Sequence, residues 1–272
     1  MSQNLLGTSV DAVVRTVLDA EPGELFVVNP AGETVEELVD VANAYEGELP
    51  TIRLLGDERT LKDVTDDFIV ASNAANLVED GALELRVFEG DARSSMLVTE
   101  DRTVALVEVG GLVGGLTTDD AEFAETAYDA VADDWAAAGQ FTLRTPAIDR
   151  VRQTLGDDIS PEVEEDFESV LASMETARGD GDGLDEVTVS LLVAAKNREL
   201  LYDISKWGED VGIASKATFS RTKTKLEDLG LIDTEKVPID VGRPRLRLKL
   251  ADERLEDAPS AELANVAQSV LS

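Results

Sequence analysis

Residues 184–250 read LDEVTVSLLVAAKNRELLYDISKWGEDVGIASKATFSRTKTKLEDLGLIDTEKVPIDVGRPRLRLKL, and the reading of this stretch decides the fold. Its spacing predicts two helices, a basic third helix, and a two-stranded hairpin with a basic tip. The third helix is predicted to begin near Ser215, whose hydroxyl can cap the first free amides. Phe219, Leu226 and Leu229 fall on one apolar stripe of a 3.6-residue repeat. Gly230 follows as the residue that enters the left-handed conformation without a Cβ penalty. Ala217, Ser220, Arg221 and Thr224 point away from the stripe, with Lys216, Lys223 and Lys225 on its flanks. Small, hydrogen-bonding side chains on a ridge, with cations beside it, suit a helix lying in a major groove.

In the hairpin, Arg245, Arg247 and Lys249 alternate with Leu246, Leu248 and Leu250, which sends the leucines inward and the cations outward. Gly242-Arg243-Pro244 is expected at the tip, where a short, stiff loop carrying arginine suits a narrow minor groove. Taken alone, these residues are equally good turn and edge-strand chemistry; beside the basic helix, contact with a groove or phosphate is favoured. The candidate DNA contacts are therefore Ser215, Lys216, Ala217, Ser220, Arg221, Lys223, Thr224, Lys225, Arg243, Arg245 and Arg247. Trp207 is expected to pack beneath the turn as a core residue, since readers of duplex rarely need base stacking.

Charge sets this stretch apart. The chain has 24 Lys and Arg against 57 Asp and Glu, a net charge of −33. Residues 190–250 hold twelve of the bases and nine acids, a local +3. Most charge runs are solvated faces. Here an extremely acidic chain turns basic only where a helix-turn-helix pattern occurs, which is the electrostatic footprint of a nucleic-acid partner.

A-T-F-S-R (217–221) followed by K-L-E-D-L-G-L-I (225–232) resembles the recognition helix and first wing strand of winged-helix regulators, and G-R-P-R (242–245) with the alternating L-R-L-K-L resembles their wing. The whole chain resembles the haloarchaeal TrmB-suppressor (TbsP-like) family. That resemblance implies a DNA-binding regulator of central carbon metabolism acting alongside sugar-sensing TrmB regulators.

Cys and His are both absent, which removes disulfides, thiol nucleophiles, imidazole bases and the common zinc arrangements. No run reaches the roughly 18 apolar residues of a membrane-spanning helix, and the N-terminus lacks a basic region before an apolar stretch. A soluble, cytoplasmic protein with no membrane partner is expected. In dilute buffer 33 negative charges repel one another, whereas at molar salt the screening length falls to about 3 Å. The surface thus reads as adapted to a salt-rich cytoplasm such as a haloarchaeon's. An acidic nucleic-acid mimic is the disfavoured alternative, because the acids are spread over every helix.

Upstream, the pattern predicts a helix over 9–20, strands over 24–30 and 51–57, and a helix over 34–46 capped by Thr34 with Glu37 completing a capping box. A single helix is predicted over 58–80, a strand over 83–90, and two strands within 94–110 around Glu100-Asp101-Arg102. A helix over 119–141 is expected to bury Phe123, Ala127, Val131 and Trp135. The order argues for an α/β domain. It resembles the sensor domain of TrmB-like regulators, similar in fold to phospholipase-D-like domains. The His-x-Lys motifs that such catalysis needs are absent. VGGLVGGL (109–116) matches no phosphate-binding fingerprint and reads as a strand that bends or admits a close neighbour, with an effector pocket as the alternative. Pairs such as Asp119-Asp120 and Asp133-Asp134 read as surface.

Residues 145–178 are expected as two helices, the first running from Pro146 to Gly156 and the second opened by Ser160-Pro161. The apolar stripe of the second, Val163, Phe167, Val170, Leu171 and Met174, either packs on a domain or pairs in a dimer, with the dimer favoured. A last helix over 260–272 either folds back or joins such an interface. The expectation is an α/β N-terminal sensor-like domain (1–143), a helical connector (144–183) with a Gly/Asp joint at 179–183, a C-terminal winged helix-turn-helix domain (184–252) and an acidic tail (253–272). The expected partners are double-stranded promoter DNA, a second copy in a homodimer and a small-molecule metabolite effector, with no cofactor and no catalytic activity. A winged-helix adaptor that binds only protein, or an α/β enzyme acting on a sugar phosphate, are the rival readings.

Overall fold

The computed structural model describes residues 4–20, 23–88, 94–110, 112–174, 176–178, 184–238 and 244–271. The chain forms two compact units, residues 1–66 with 73–143, and residues 67–72 with 144–272.

In chain order, the first half comprises β1 (Leu5–Thr8), α1 (Val10–Leu18), β2 (Glu24–Val28), α2 (Gly32–Asn43), β3 (Thr51–Gly56), α3 (Glu58–Thr65), α4 (Phe68–Glu79), β4 (Leu83–Val87), β5 (Met96–Thr99), β6 (Arg102–Val109), β7 (Leu112–Thr118), α5 (Ala121–Ala137) and β8 (Gly139–Gln140). The strands join in one sheet of order β1-β7-β6-β5-β2-β3-β4-β8. Strands β2, β3 and β4 run parallel, and the remaining pairings are antiparallel. Leu25, Phe26, Val27 and Val28 are all buried, because both faces of this central strand are covered. On one face Phe26 meets Tyr128 and Trp135 of α5 edge-on, at 5.4 and 6.1 Å. On the other, a Cβ at Gly115 of β7 would stand 2.9 Å from Val104 of the neighbouring strand β6 and 3.3 Å from Val13 of α1. Of the glycines of VGGLVGGL, Gly115 thus serves close approach, whereas Gly110 sits at φ 61° in open space; Gly111 lies outside the described residues.

Several local expectations are corrected. α2 starts at Gly32 with no side-chain cap, and Thr34 is buried inside its first turn, so no capping box forms. The helix expected over 58–80 is two helices. Asp67 breaks it, its carboxylate accepting from the Ile69 amide at 2.9 Å to start α4. On α5, Phe123 is 56% exposed while Ala124 is fully buried, because the helix sits too close to the sheet for a ring at that turn. Asp120 caps α5, accepting from the Phe123 amide at 3.0 Å. Strands β1 and β8 complete the sheet beyond those expected, and the glycine-rich strand expected over 109–116 is β7.

The second unit holds α6 (Ile148–Asp158), α7 (Pro161–Ala172), α8 (Glu186–Lys196), α9 (Leu201–Val211), α10 (Lys216–Asp228), β9 (Ile232–Val237), β10 (Arg245–Leu250), α11 (Glu253–Glu256) and α12 (Ser260–Leu271). α8 is buried on every side from Val187 to Ala195, as a helix apolar all round must be, and the others wrap it. Val163, Phe167 and Val170 of α7 share one core with α8, Trp207, Phe219, Leu248 and Leu263. Of the two expectations for this stripe, packing on a domain is the one the structure shows, and the dimer pairing favoured for it is not, since the stripe is buried inside this unit. α6 runs through Gly156 to Asp158, so this glycine does not end the helix. α12 folds back on the same core through Leu263, Ala264 and Ala267. Ser160 caps α7 as expected, accepting from the Val163 amide at 3.3 Å.

Segment 67–72 belongs to this unit. The buried Asp67 carboxylate accepts from Thr176 Oγ1, from the Ala177 amide at 3.3 Å and from Arg178 Nε at 3.4 Å. The Phe68 amide donates to Ala177 O at 3.1 Å. The joint expected at 179–183 lies outside the described residues.

Candidate nucleic-acid interface

Helices α9 and α10 are set by two glycines and a serine. Gly212 ends α9 at φ 98°, a left-handed conformation that glycine adopts without strain. Ser215 caps α10, its Oγ accepting from the Thr218 amide at 3.2 Å. Gly208 of α9 lies directly against the Phe219 ring, where an added Cβ would stand 2.3 Å from Cε2. Trp207 beside it is buried and donates through Nε1 to Thr154 Oγ1 of α6 at 3.0 Å. It is a core residue, as expected.

Phe219 and Leu226 anchor α10 in the core. Leu229, expected on the same stripe, is exposed instead, because it has reached the C-cap where the helix leaves the core. Gly230 follows at φ 72°. Ser215, Ala217, Ser220, Arg221, Thr224 and Lys225 are all exposed. Thr224 Oγ1 donates to Ser220 O at 3.1 Å and Arg221 donates to Thr218 Oγ1 at 3.3 Å. Among the described residues, neither Arg221 nor Lys225 has a carboxylate within ion-pair distance.

Several neighbouring cations are engaged, whereas Lys236 of β9 is exposed with no ion pair among the described residues. Lys216 Nζ lies 2.6 Å from Glu209, whose second oxygen also accepts from the Lys216 amide at 3.3 Å. This side-chain hydrogen bond raises the Lys216 pKa and, with the backbone bond, lowers that of Glu209. Lys206 pairs with Asp210 one turn on. Lys223 does not stand out on a flank. Its side chain is 13% exposed and lies 2.6 Å from Glu227, which also accepts from Thr234 Oγ1 of β9 at 2.9 Å. Glu227 thus clips α10 to the wing, with Lys223 of the same helix paired to its other oxygen.

The wing is the hairpin β9–β10, in register from Arg245↔Val237 to Leu250↔Ile232. Leu248 and Leu250 face the core and Leu246 is half-buried, so the expected alternation is present. The outward cations meet acids of their own fold. Lys249 sits 2.9 Å from its cross-strand partner Asp233, and Arg247 sits 3.7 Å from its partner Glu235. Arg198 shares Glu235 at 2.8 Å. Arg245 lies 4.5 Å over the exposed Tyr202 ring and 3.3 Å from Asp203. A third segment joins the wing where the Leu248 amide donates to Glu199 O at 2.8 Å. Burial and the nearby Asp203 push the Glu199 carboxyl above its usual range. Arg243 at the expected tip lies outside the described residues.

The structure thus gathers Ser215, Ala217, Ser220, Arg221, Thr224 and Lys225 on one exposed ridge, and puts Arg245 and Arg247 on the wing. Tyr202, Asp203, Lys206 and Glu209 were not among the expected site residues. The i,i+4 spacing of Lys206–Asp210 and Lys223–Glu227 was the one local signal of such pairing.

In the first unit, a cavity of about 240 Å³ is lined by Val17, Glu24, Leu97, Glu100, Asp101 and Arg102, among others. Beside it Glu24 accepts from Tyr128 Oη at 2.7 Å and pairs with Arg53 at 2.6 Å. The hydrogen bond to Glu24, then burial, pushes the Tyr128 pKa up to about 12. Among the described residues, no helix is long and apolar enough to cross a membrane.

Comparison with known proteins gives two family matches. Residues 2–146 match the N-terminal domain of TbsP-like transcriptional regulators, and residues 147–268 match their C-terminal helix-turn-helix domain. No curated protein matches the chain significantly. Among solved structures, TrmBL2, an archaeal chromatin protein described as having a novel mode of DNA binding, aligns at 12% identity and a TM-score of 0.36. That alignment covers 52% of this chain and 55% of TrmBL2, so the chain spans about half of that protein's length. NucT from Helicobacter pylori aligns at 10% identity and a TM-score of 0.35, over 51% of this chain and 98% of its own. Likeness at this level fixes neither fold nor function.

Proposed function

We propose, from the premise that this chain belongs to the TbsP-like family of transcriptional regulators, that it reads promoter DNA by laying α10 in a major groove with the β9–β10 wing against the flanking backbone. The observation that carries the reading is the α10 ridge. Phe219 and Leu226 hold the helix from below, while Ala217, Ser220, Arg221, Thr224 and Lys225 stand free on the opposite side. Small side chains let the helix sit deep, and an arginine free of carboxylates is the residue best suited to a guanine edge. The contacts are Ser215, Lys216, Ala217, Ser220, Arg221, Thr224 and Lys225 on the helix and Arg243, Arg245 and Arg247 on the wing. Lys223 is left out, because its side chain is only 13% exposed, against 43% for Lys216.

The target genes are those of central carbon metabolism, the role that the family resemblance implies. Binding is as a homodimer on two half-sites about one helical turn apart, and a metabolite held by the α/β domain modulates occupancy. The acidic rim of the cavity at Glu24, Glu100 and Asp101 favours an uncharged, hydroxyl-rich effector over a phosphorylated one. The surplus of acids suits a salt-rich cytoplasm.

The test is selection of duplexes from a random pool by the full chain in molar KCl. The expected result is an enriched motif that Arg221→Ala binds more weakly by about 1–3 kcal/mol, with relaxed choice at one base. Failure to enrich any sequence refutes the reading. Light scattering of the chain with the selected duplex tests the dimer.

A further inference from the structure

We propose, resting on the DNA-binding reading above, that Asp203, Glu209 and Glu235 are specificity determinants of this surface: they hold Arg245, Lys216 and Arg247 as built-in substitutes for phosphate, which duplex DNA must displace. Sequence-independent binding to DNA comes from cations neutralising phosphates and releasing counterions. A lysine that is already neutralised by its own fold releases little when it moves to a phosphate, and it leaves a bare carboxylate facing the duplex. Contacts from the ridge to base edges carry no such penalty. The acids therefore weaken phosphate-driven binding more than base-driven binding, a repulsive element of the kind that separates right partners from wrong ones.

The geometry marks these acids as fixtures. Glu209 engages both the Lys216 ammonium at 2.6 Å and the Lys216 amide at 3.3 Å, so its position is set by the start of α10. Asp203 meets Arg245 at 3.3 Å while Tyr202 stacks on the same guanidinium at 4.5 Å, which fixes the arginine at the root of the wing. Glu235 lies between Arg198 and Arg247, at 2.8 and 3.7 Å. Among the described residues of α10 and the wing, the cations that remain free to release counterions are Arg221, Lys225 and Lys236. Three such contacts give a slope of log affinity against log salt near about −3, whereas six free cations on α10 and the wing would give about −5.

The experiment measures fluorescence anisotropy of a labelled random-sequence duplex, and of a duplex enriched by selection, against the full chain from low to molar KCl. The expected slope on the random duplex is about −3. Glu209→Gln should steepen it by about one, tighten random-duplex binding in low salt by about tenfold, and narrow the preference for the selected duplex. Gln keeps an acceptor for the Lys216 amide, so the helix start is retained, which a circular dichroism melt checks. Glu209→Gln combined with Lys216→Gln should return the slope to its starting value. A wild-type slope near −5, or a Glu209→Gln protein with unchanged slope and preference, overturns the proposal and leaves the DNA-binding reading standing. A chain that binds neither duplex at any salt sinks that reading and the proposal with it.

Discussion

Gly208→Ala puts two effects of opposite sign against each other. In the middle of a helix alanine is favoured over glycine by about 1 kcal/mol, so an open position would gain stability. Here the new methyl would stand 2.3 Å from Cε2 and 2.4 Å from Cζ of Phe219. That ring is fully buried and has no free volume to turn into, so α9 and α10 must separate. Overpacking of a filled core costs about 1–3 kcal/mol and occasionally more. With both ring carbons far inside contact distance, the upper part of that range applies and the net effect is destabilising by about 1–2 kcal/mol. Urea denaturation at molar KCl measures it as a lower midpoint with unchanged slope. Phe219→Leu shortens the obstructing side chain, so adding it to Gly208→Ala should cost less than the sum of the two, with a coupling of about 1 kcal/mol or more. A Gly208→Ala protein more stable than the parent, or strictly additive effects, would refute this account of the helix crossing.

Three further outcomes follow from the packing. Asp67→Ala leaves the Ala177 amide and its neighbours without their acceptor and should destabilise the second unit by about 2–3 kcal/mol; calorimetry with no loss of melting temperature would contradict it. Lys223→Ala should lower stability by removing the cation that holds Glu227 in place against Thr234 while leaving the salt slope of DNA binding intact, whereas Lys225→Ala should reduce that slope by about one and leave the melt unchanged. Because the fold raises the Tyr128 pKa to about 12 from 10.0, the protonated phenol is favoured in the native state. Its contribution is fully present below pH 10 and is lost as pH rises towards 12. Tyr128→Phe should therefore lose less stability than the parent over that window, and equal losses in urea titrations would count against the Glu24 hydrogen bond.

What could be read from the sequence was local. The Ser160 and Ser215 caps, the α7 stripe, strands β2 and β3 and the order of three helices and a hairpin are written in neighbouring residues, and the structure has each of them. What could not be read depends on partners far along the chain. Asp67 looks like one more acid in a helix until Thr176, Ala177 and Arg178, more than a hundred residues on, supply its donors. Phe123 drew attention by its size, yet the sheet lies close enough that Ala124 is the residue that fits. The stripe of α7 announced a buried face but not what buries it. On the candidate interface, the sequence counts cations without saying which are already paired. Lys216 meets Glu209 across the turn between two helices, and no spacing rule carries that contact.

The placement of segment 67–72 also bears on how the protein is made. Residues 1–143 leave the ribosome before the strand of loop that receives Phe68 and Asp67 exists, so the first turn of α4 waits with its apolar and acidic side chains unsatisfied until the Ala177 region has been synthesised. A nascent chain that ends at residue 143 therefore lacks the partner that the Phe68 amide has in the finished fold.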